Sequence, residues 1–252
     1  MNNNEWALKK QIVEVAHKLW DKGFVAANDG NITIRLNDKE FLTTPTGISK
    51  KSLTVEMIIK VDMKGQPIVH NANYRPSSEA KMHIEVYMQR PDIKAIVHSH
   101  PPYCTSFAVA GIPLDKCILP EAVLTIGAVP VTPYALPSTM EIPDAIRPYI
   151  KNTDAVLLAN HGALTMGTDV TNAYYKMETL EHSAQILFLS MQLGNVNVIS
   201  DSEVGRLMQL RDKLNIGGKI LQKEPAAAAG NVSDDVIEEI TRKVLENVRR
   251  GL

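Results

Sequence analysis

The sequence predicts an α/β layered domain, and three features predict it. Segments of helical period at 5–22, 77–90 and 169–194 are interleaved with short runs of strand type, such as Ile32-Thr33-Ile34-Arg35 and Ala155-Val156-Leu157-Leu158-Ala159. Tight turn clusters separate them, among them Asn28-Asp29-Gly30-Asn31 and Thr44-Pro45-Thr46-Gly47. Strands mixed in this way with amphipathic helices are covered by helices on both sides.

The chain has 252 residues, 44% hydrophobic and 22% charged, enough for one substantial core. A formal net charge of −1 gives no field that would favour nucleic acid or an anionic membrane. Two cysteines, Cys104 and Cys117, do not make a disulfide scaffold and suit a reducing cytoplasm. Met1-Asn2-Asn3-Asn4 lacks the basic start and apolar core of a signal peptide. No apolar run approaches the ~18 residues of a membrane span. A cytoplasmic protein with no membrane or nucleic-acid partner is therefore expected.

In chain order, Trp6, Ile12, Val13, Ala16, Leu19 and Trp20 recur at helical spacing, and Gly23 ends that helix. Residues 32–35 and 40–43 read as a hairpin. Residues 57–62 and 67–69 suggest two more strands around Lys64-Gly65. Ser77 and Ser78, after Pro76, suit the cap and first turn of the next helix. A strand at 95–100 follows, then helices at 102–110 and 120–126, a strand at 129–133 and a helix at 141–150. Beyond 155–159 comes the long helix, with Ala173, Met177, Leu180, Ala184, Leu187 and Met191 along one side. Glu224-Pro225 and four alanines mark a linker at 223–232, which leaves a domain of residues 1–222 before it. An amphipathic helix is expected within 233–252, with Val236, Ile237, Ile240, Val244, Leu245 and Val248 as its apolar stripe.

The chemistry centres on Ala95-Ile96-Val97-His98-Ser99-His100. On a strand, alternate side chains share a face, so His98 and His100 project together and make half of a metal site. A pair of histidines at a strand end can equally satisfy local hydrogen bonds. His161 closes a second apolar run and can act as a third ligand or as a packing residue in a turn. Glu79 falls in the first turn of the 77–90 helix. It can be a fourth ligand, a general base, or a carboxylate favoured by the helix dipole. The turns at Asn28 to Asn31, Thr46-Gly47 and Ser77-Ser78 offer backbone N–H groups beside small polar side chains. That chemistry suits an anion as well as an ordinary turn.

Five segments occur in one order: Asn28-Asp29-Gly30-Asn31-Ile32-Thr33-Ile34-Arg35, Thr44-Pro45-Thr46-Gly47, Pro76-Ser77-Ser78-Glu79, His98-Ser99-His100-Pro101 and Asn160-His161-Gly162. Together, from about Trp6 to about Leu214, the chain resembles the class II aldolase/adducin family, and above all the L-fuculose-1-phosphate aldolases within it. The resemblance implies a layered α/β/α domain with a central, mostly antiparallel sheet flanked by helices. It implies a divalent metal, zinc with manganese as an alternative, held by His98, His100 and His161, with Glu79 as acid/base and a further metal ligand. It implies phosphate binding by Asn28, Gly30, Asn31, Thr46, Gly47, Ser77 and Ser78, and a homotetramer with sites at subunit interfaces. The expected reaction cleaves a deoxyketose 1-phosphate, fuculose or rhamnulose, to dihydroxyacetone phosphate and lactaldehyde.

The sequence departs from that pattern at Leu119, where the fuculose-phosphate aldolases carry a proton-donating tyrosine. No tyrosine follows Tyr175. Glu121 is the candidate second acid/base, since it lies near a catalytic glutamate position of the related methylthioribulose-1-phosphate dehydratases; a helix-start carboxylate is the other reading. Tyr103 and Tyr134 are weaker candidates. With Glu121, dehydration of methylthioribulose 1-phosphate or 4-epimerisation of a pentulose 5-phosphate becomes an alternative, and a non-catalytic, adducin-like interaction module is a third. The tail resembles the peptides that carry enzymes into bacterial microcompartments, which would make shell proteins a partner and the compartment lumen a location; a helix docked on its own tetramer, or a frayed extension, is the other reading.

Overall fold

Strand residues of period two build the centre of the fold. The structure, a computed structural model, describes residues 3–69 and 73–222. The expected linker and C-terminal helix lie outside the described residues. Seven strands form one sheet: β1 Asn31–Arg35, β2 Glu40–Thr43, β3 Ile59–Asp62, β4 Ala95–Ser99, β5 Val131–Thr132, β6 Ala155–Leu158 and β7 Gly162–Gly167, in the order β3-β2-β1-β4-β7-β6-β5. Every pair is antiparallel except β5 with β6. Register places His98 between Asn31 of β1 and Leu164 of β7.

Alternation then sends side chains to two helical layers. Ala95, Val97, Ala155, Leu157 and Ala163 pack in one cluster with residues of α1 (Asn3–Asp21), α3 (Pro102–Ala110) and α6 (Val170–Gln192). Ile96, Val156, Leu158, Leu164 and Met166 pack in the other, with α2 (Ala80–Gln89) and α5 (Glu141–Ile150). The fold is thus the α/β/α sandwich expected. Ile12 and Leu19 of α1 are fully buried, each stabilising the fold by about 1.5–3 kcal/mol. His98 has the parity of Ile96, so it faces the α2/α5 side where that strand ends.

Several expected elements change. Among the described residues, the strand expected beyond the Lys64-Gly65 turn reduces to one bridge, Val61–Pro67, flanked by the Asp62 N–H to the Gln66 carbonyl at 2.9 Å and the Ile68 N–H to the Lys60 carbonyl at 3.0 Å. Residues 55–57 form a 3-10 turn, which delays β3 to Ile59. The strand expected at 129–133 shortens to two residues. Two elements escaped the sequence reading. β7 is a six-residue run with glycine at both ends. The last described helix, α7 (Asp201–Lys213), has no fully buried residue; Val204, Leu207 and Met208 share one half-buried face. It starts at Ser200, whose hydroxyl accepts the Glu203 N–H.

Away from the β4 C-terminus, a buried ionic cluster ties α2, α6, the start of β6 and the segment after α7 together. Asp154 accepts Arg90 at 2.6 Å, Lys176 Nζ at 2.7 Å and the Lys219 N–H at 3.0 Å. Removing the Asp154 carboxylate would leave the buried Lys176 ammonium without a counter-ion and Arg90 with only the half-exposed Asp92. Asp154→Ala should therefore lower the unfolding free energy by about 3–5 kcal/mol in urea denaturation; an unchanged midpoint would refute this.

Candidate metal centre

Three imidazoles converge where β4 ends. His98 and His100 leave the strand on one face, their Nε2 atoms 3.2 Å apart. His161 comes from the three-residue loop that joins β6 to β7, where Asn160 takes a left-handed conformation (φ 56°) that asparagine tolerates. The hairpin therefore fixes His161 more tightly than a plain strand end would. The three rings stand edge to face, centroids 4.7–5.0 Å apart. One ligand nitrogen from each lies within 4.8 Å of the others.

Second partners orient the rings. His98 Nδ1–H donates to the Ala163 carbonyl at 2.9 Å, which leaves Nε2 as its lone-pair nitrogen. His100 Nδ1 faces the Asp29 carboxylate at 3.4 Å. Burial holds His98 well below the ordinary histidine pKa and lowers that of His100 as well. Neutral imidazole is the form that coordinates a cation, so this donor set fits a divalent metal.

Glu79 completes the group. It is the N-cap of α2 rather than a residue of its first turn, and it caps nothing with its side chain. That side chain points to the histidines instead: Oε1 lies 3.1 Å from His161 Nε2 and Oε2 3.6 Å from His98 Nε2. Burial pushes its pKa up, but His98 first, then His161 and His100, outweigh this and bring it to about 2. Of the Glu79–His98 pair, the carboxylate keeps its charge and the imidazole gives it up. Asn31 Nδ2 donates to Oε2 at 2.7 Å, while Asn31 Oδ1 is buried with no protein partner.

The three expected turns adjoin one another. Thr46 N–H bonds the Arg75 carbonyl at 2.9 Å, and Ser77 N–H the Thr44 carbonyl at 3.4 Å. Ser77 Oγ accepts the Glu79 N–H at 3.3 Å, and Ser78 Oγ meets Ser138 Oγ at 2.7 Å. Gly30 must be glycine: its φ is 73°, and a Cβ would stand 2.8 Å from the His98 carbonyl. Asn28, Thr46 and Gly47 are exposed. Gly47 (φ 74°) takes the left-handed conformation its turn requires.

Glu121 is not part of this group. It lies exposed on α4 (Pro120–Thr125), and the carboxylates that act on the buried histidines are Glu79 and Asp29. Tyr103 packs on Phe188, and Tyr134 is 63% exposed. The sequence reading missed Asp29, which it took only as part of a turn, and Lys50. Lys50 is buried and donates to the Asn28 and Ile48 carbonyls at 3.1 and 3.4 Å. The lysine pair Lys50-Lys51, just beyond Thr46-Gly47-Ile48-Ser49, was the available signal.

Residues 10–188 match the family described as Class II Aldolase and Adducin N-terminal domain. The chain is 33% identical over 183 residues to L-fuculose phosphate aldolase of Methanococcus maripaludis, covering 73% of this chain and 97% of that protein. It is 32% identical over 202 residues to 3-oxo-tetronate 4-phosphate decarboxylase of Haemophilus influenzae, covering 79% and 94%. A solved L-fuculose 1-phosphate aldolase superposes with TM-score 0.75 at 28% identity, covering 83% of this chain and 96% of that one. Among the described residues, no helix is long and apolar enough to cross a membrane.

Two outcomes follow. A Cβ at Gly162 would stand 2.6 Å from both His100 Cδ2 and the Ser99 carbonyl. Gly162→Ala should thus displace His100 and weaken zinc binding about 10–100-fold in chelator competition; unaltered affinity would refute this. Burial brings the Lys50 pKa from 10.5 down to about 8. Between those values the unfolded chain holds a proton that the folded chain releases, so this group's contribution to stability rises with pH through that window. Lys50→Met should flatten the rise in melting temperature from pH 8 to pH 10.5; an unchanged slope would refute it.

Proposed function

The chain belongs to the class II aldolase and adducin family, and on that premise we propose that it is a metal-dependent lyase that cleaves a carbon–carbon bond near the carbonyl of a small phosphorylated sugar. The first substrates to consider are L-fuculose 1-phosphate and L-rhamnulose 1-phosphate. The observation that carries this reading is the convergence of His98, His100 and His161 on one ionised carboxylate, Glu79. A divalent ion held by the three histidines, zinc or manganese, would act as a Lewis acid toward the negative charge that bond cleavage leaves on the substrate's carbonyl oxygen.

This chain's own residues do the rest. Glu79 carries a proton to or from the carbon beside the carbonyl. Asn31 holds Oε2 of that carboxylate, and its unpartnered Oδ1 is open to a substrate hydroxyl. The N–H groups and small polar side chains of Asn28, Gly30, Asn31, Thr46, Gly47, Ser77 and Ser78 seat the phosphate. Binding energy from that remote group then aligns the scissile bond. A homotetramer with interfacial sites belongs to the same proposal. It is supported by exposed apolar residues on α6, Phe188, Leu189 and Met191, and it would make the exposed Glu121 available to a neighbouring copy.

A second reading has its own observation. In aldol cleavage the departing hydroxyl must lose a proton, yet Leu119, at the N-cap of α4, brings no titratable group where a tyrosine was expected. Decarboxylation of a 3-oxo acid phosphate needs no such acceptor, because the carboxylate is already ionised. It ends on the same step, protonation of carbon, for which the ionised Glu79 must first take a proton from solvent.

The test supplies metal-loaded protein with L-fuculose 1-phosphate, L-rhamnulose 1-phosphate and 3-oxo-tetronate 4-phosphate and reads product mass. Dihydroxyacetone phosphate marks the aldolase, and loss of carbon dioxide the decarboxylase. An intact carbon skeleton, epimerised or dehydrated, or no turnover of any substrate, would sink the proposal.

A further inference from the structure

We propose that Lys50 is a positioning residue for the substrate's phosphate. It is a buried cation that fixes two of the anion-seating turns together and supplies the positive charge they lack. The inference rests on the phosphorylated-substrate reading above.

Its side chain is only 1% exposed. Lys50 opens a 3-10 turn, Lys50–Ser52, directed by Ser49, whose hydroxyl accepts the Lys51 N–H. From there the ammonium reaches the Asn28 carbonyl at 3.1 Å and the Ile48 carbonyl at 3.4 Å. The first carbonyl belongs to the turn that leads into β1, the second to the residue after Gly47. One cation thus joins two turns that lie far apart in sequence.

What Lys50 lacks is a counter-ion. Buried lysines are normally paired directly with a carboxylate. This chain contains such a case: Lys176, 6% exposed, meets Asp154 at 2.7 Å. For Lys50 no carboxylate lies within ion-pair distance among the described residues. The acids whose fields reach it, Asp29 and Glu79, are engaged elsewhere. Asp29 faces His100 at 3.4 Å, and Glu79 takes up Asn31 at 2.7 Å and His161 at 3.1 Å. An ammonium has three N–H donors, and two carbonyls account for two of them. A desolvated charge kept without a direct partner is costly, and burial already disfavours it here. A phosphate dianion seated on the two turns would complete the compensation in a poorly screened environment.

The other turn groups act through N–H dipoles and hydroxyls, which carry no net charge. Lys50 is the residue that sets the preference for an anionic over a neutral sugar.

The experiment uses full-length, metal-loaded protein and titrates inorganic phosphate by calorimetry. Lys50→Gln keeps a donor for the two carbonyls but removes the charge; Lys50→Met removes both; Lys50→Arg keeps the charge. We expect both neutral variants to bind phosphate about tenfold or more weakly, with metal content unchanged and melting temperature at neutral pH no lower than that of the parent. Lys50→Arg should retain most of the affinity. With whichever phosphorylated substrate is turned over, the neutral variants should raise KM and leave kcat nearly unaltered. Parental phosphate affinity in Lys50→Gln would overturn the role of the charge. Equal loss in all three variants together with loss of metal would reduce Lys50 to a structural residue. If the parent protein itself binds no phosphate, the phosphorylated-substrate reading fails first, and this inference with it.

Discussion

The Glu79 carboxylate is approached from three separate elements. Asn31 reaches it from the start of β1, His161 from the β6–β7 loop, and His98 from β4. It stands at the N-terminus of α2, where the helix dipole favours negative charge. These elements meet only because the sheet register sets Asn31 opposite His98. The carboxylate and the imidazoles divide the cost of burial between them: the acid stays ionised and His98 stays neutral. This is the protonation state in which three imidazoles can coordinate a cation.

Much of this was legible in the sequence because the relevant signals are local. His98 and His100 alternate on one strand, and strand geometry alone puts them together. Glu79 and His161 could be read only jointly, through the order of five short segments. The sheet's two-sided burial showed in the apolar runs around 95 and 155 but not at 162–167, where glycines interrupt the pattern. α7 shows only a short apolar stripe, Val204, Leu207 and Met208, among mostly polar residues. Lys50 and Asp29 were missed for another reason. A lysine's burial depends on what the fold places over it, and the contact of Asp29 with His100 spans two turns that no local rule connects. Glu121 was placed near the site from sequence position alone; within one chain it lies exposed on α4, which packs on α6 and α7.

The two ends of the sheet treat buried charge in opposite ways. Around Asp154, two cations and two carboxylates, Asp154 and Asp92, bond directly and close on themselves. Such a cluster holds strand and helices in register and has nothing left to offer a ligand. Around Glu79 and Lys50, charges of both signs are buried close together without meeting in an ion pair. Asn31 Oδ1 and the third Lys50 donor remain unspent. Incomplete satisfaction is what separates a binding site from a structural network in this protein.

The β6–β7 connection bears on how such a site can diverge. Its three-residue loop places His161, and Gly162 packs against Ser99 and His100 with no room for a side chain. An insertion or deletion there would swing a ligand out of the cluster, so loop length is closed as a route to new specificity. New chemistry on this frame must come from point changes around a fixed ligand set, at positions such as Lys50 and Leu119, or from groups that a neighbouring chain brings to the opening. The rigidity that secures the ion thereby channels variation to the rim of the site.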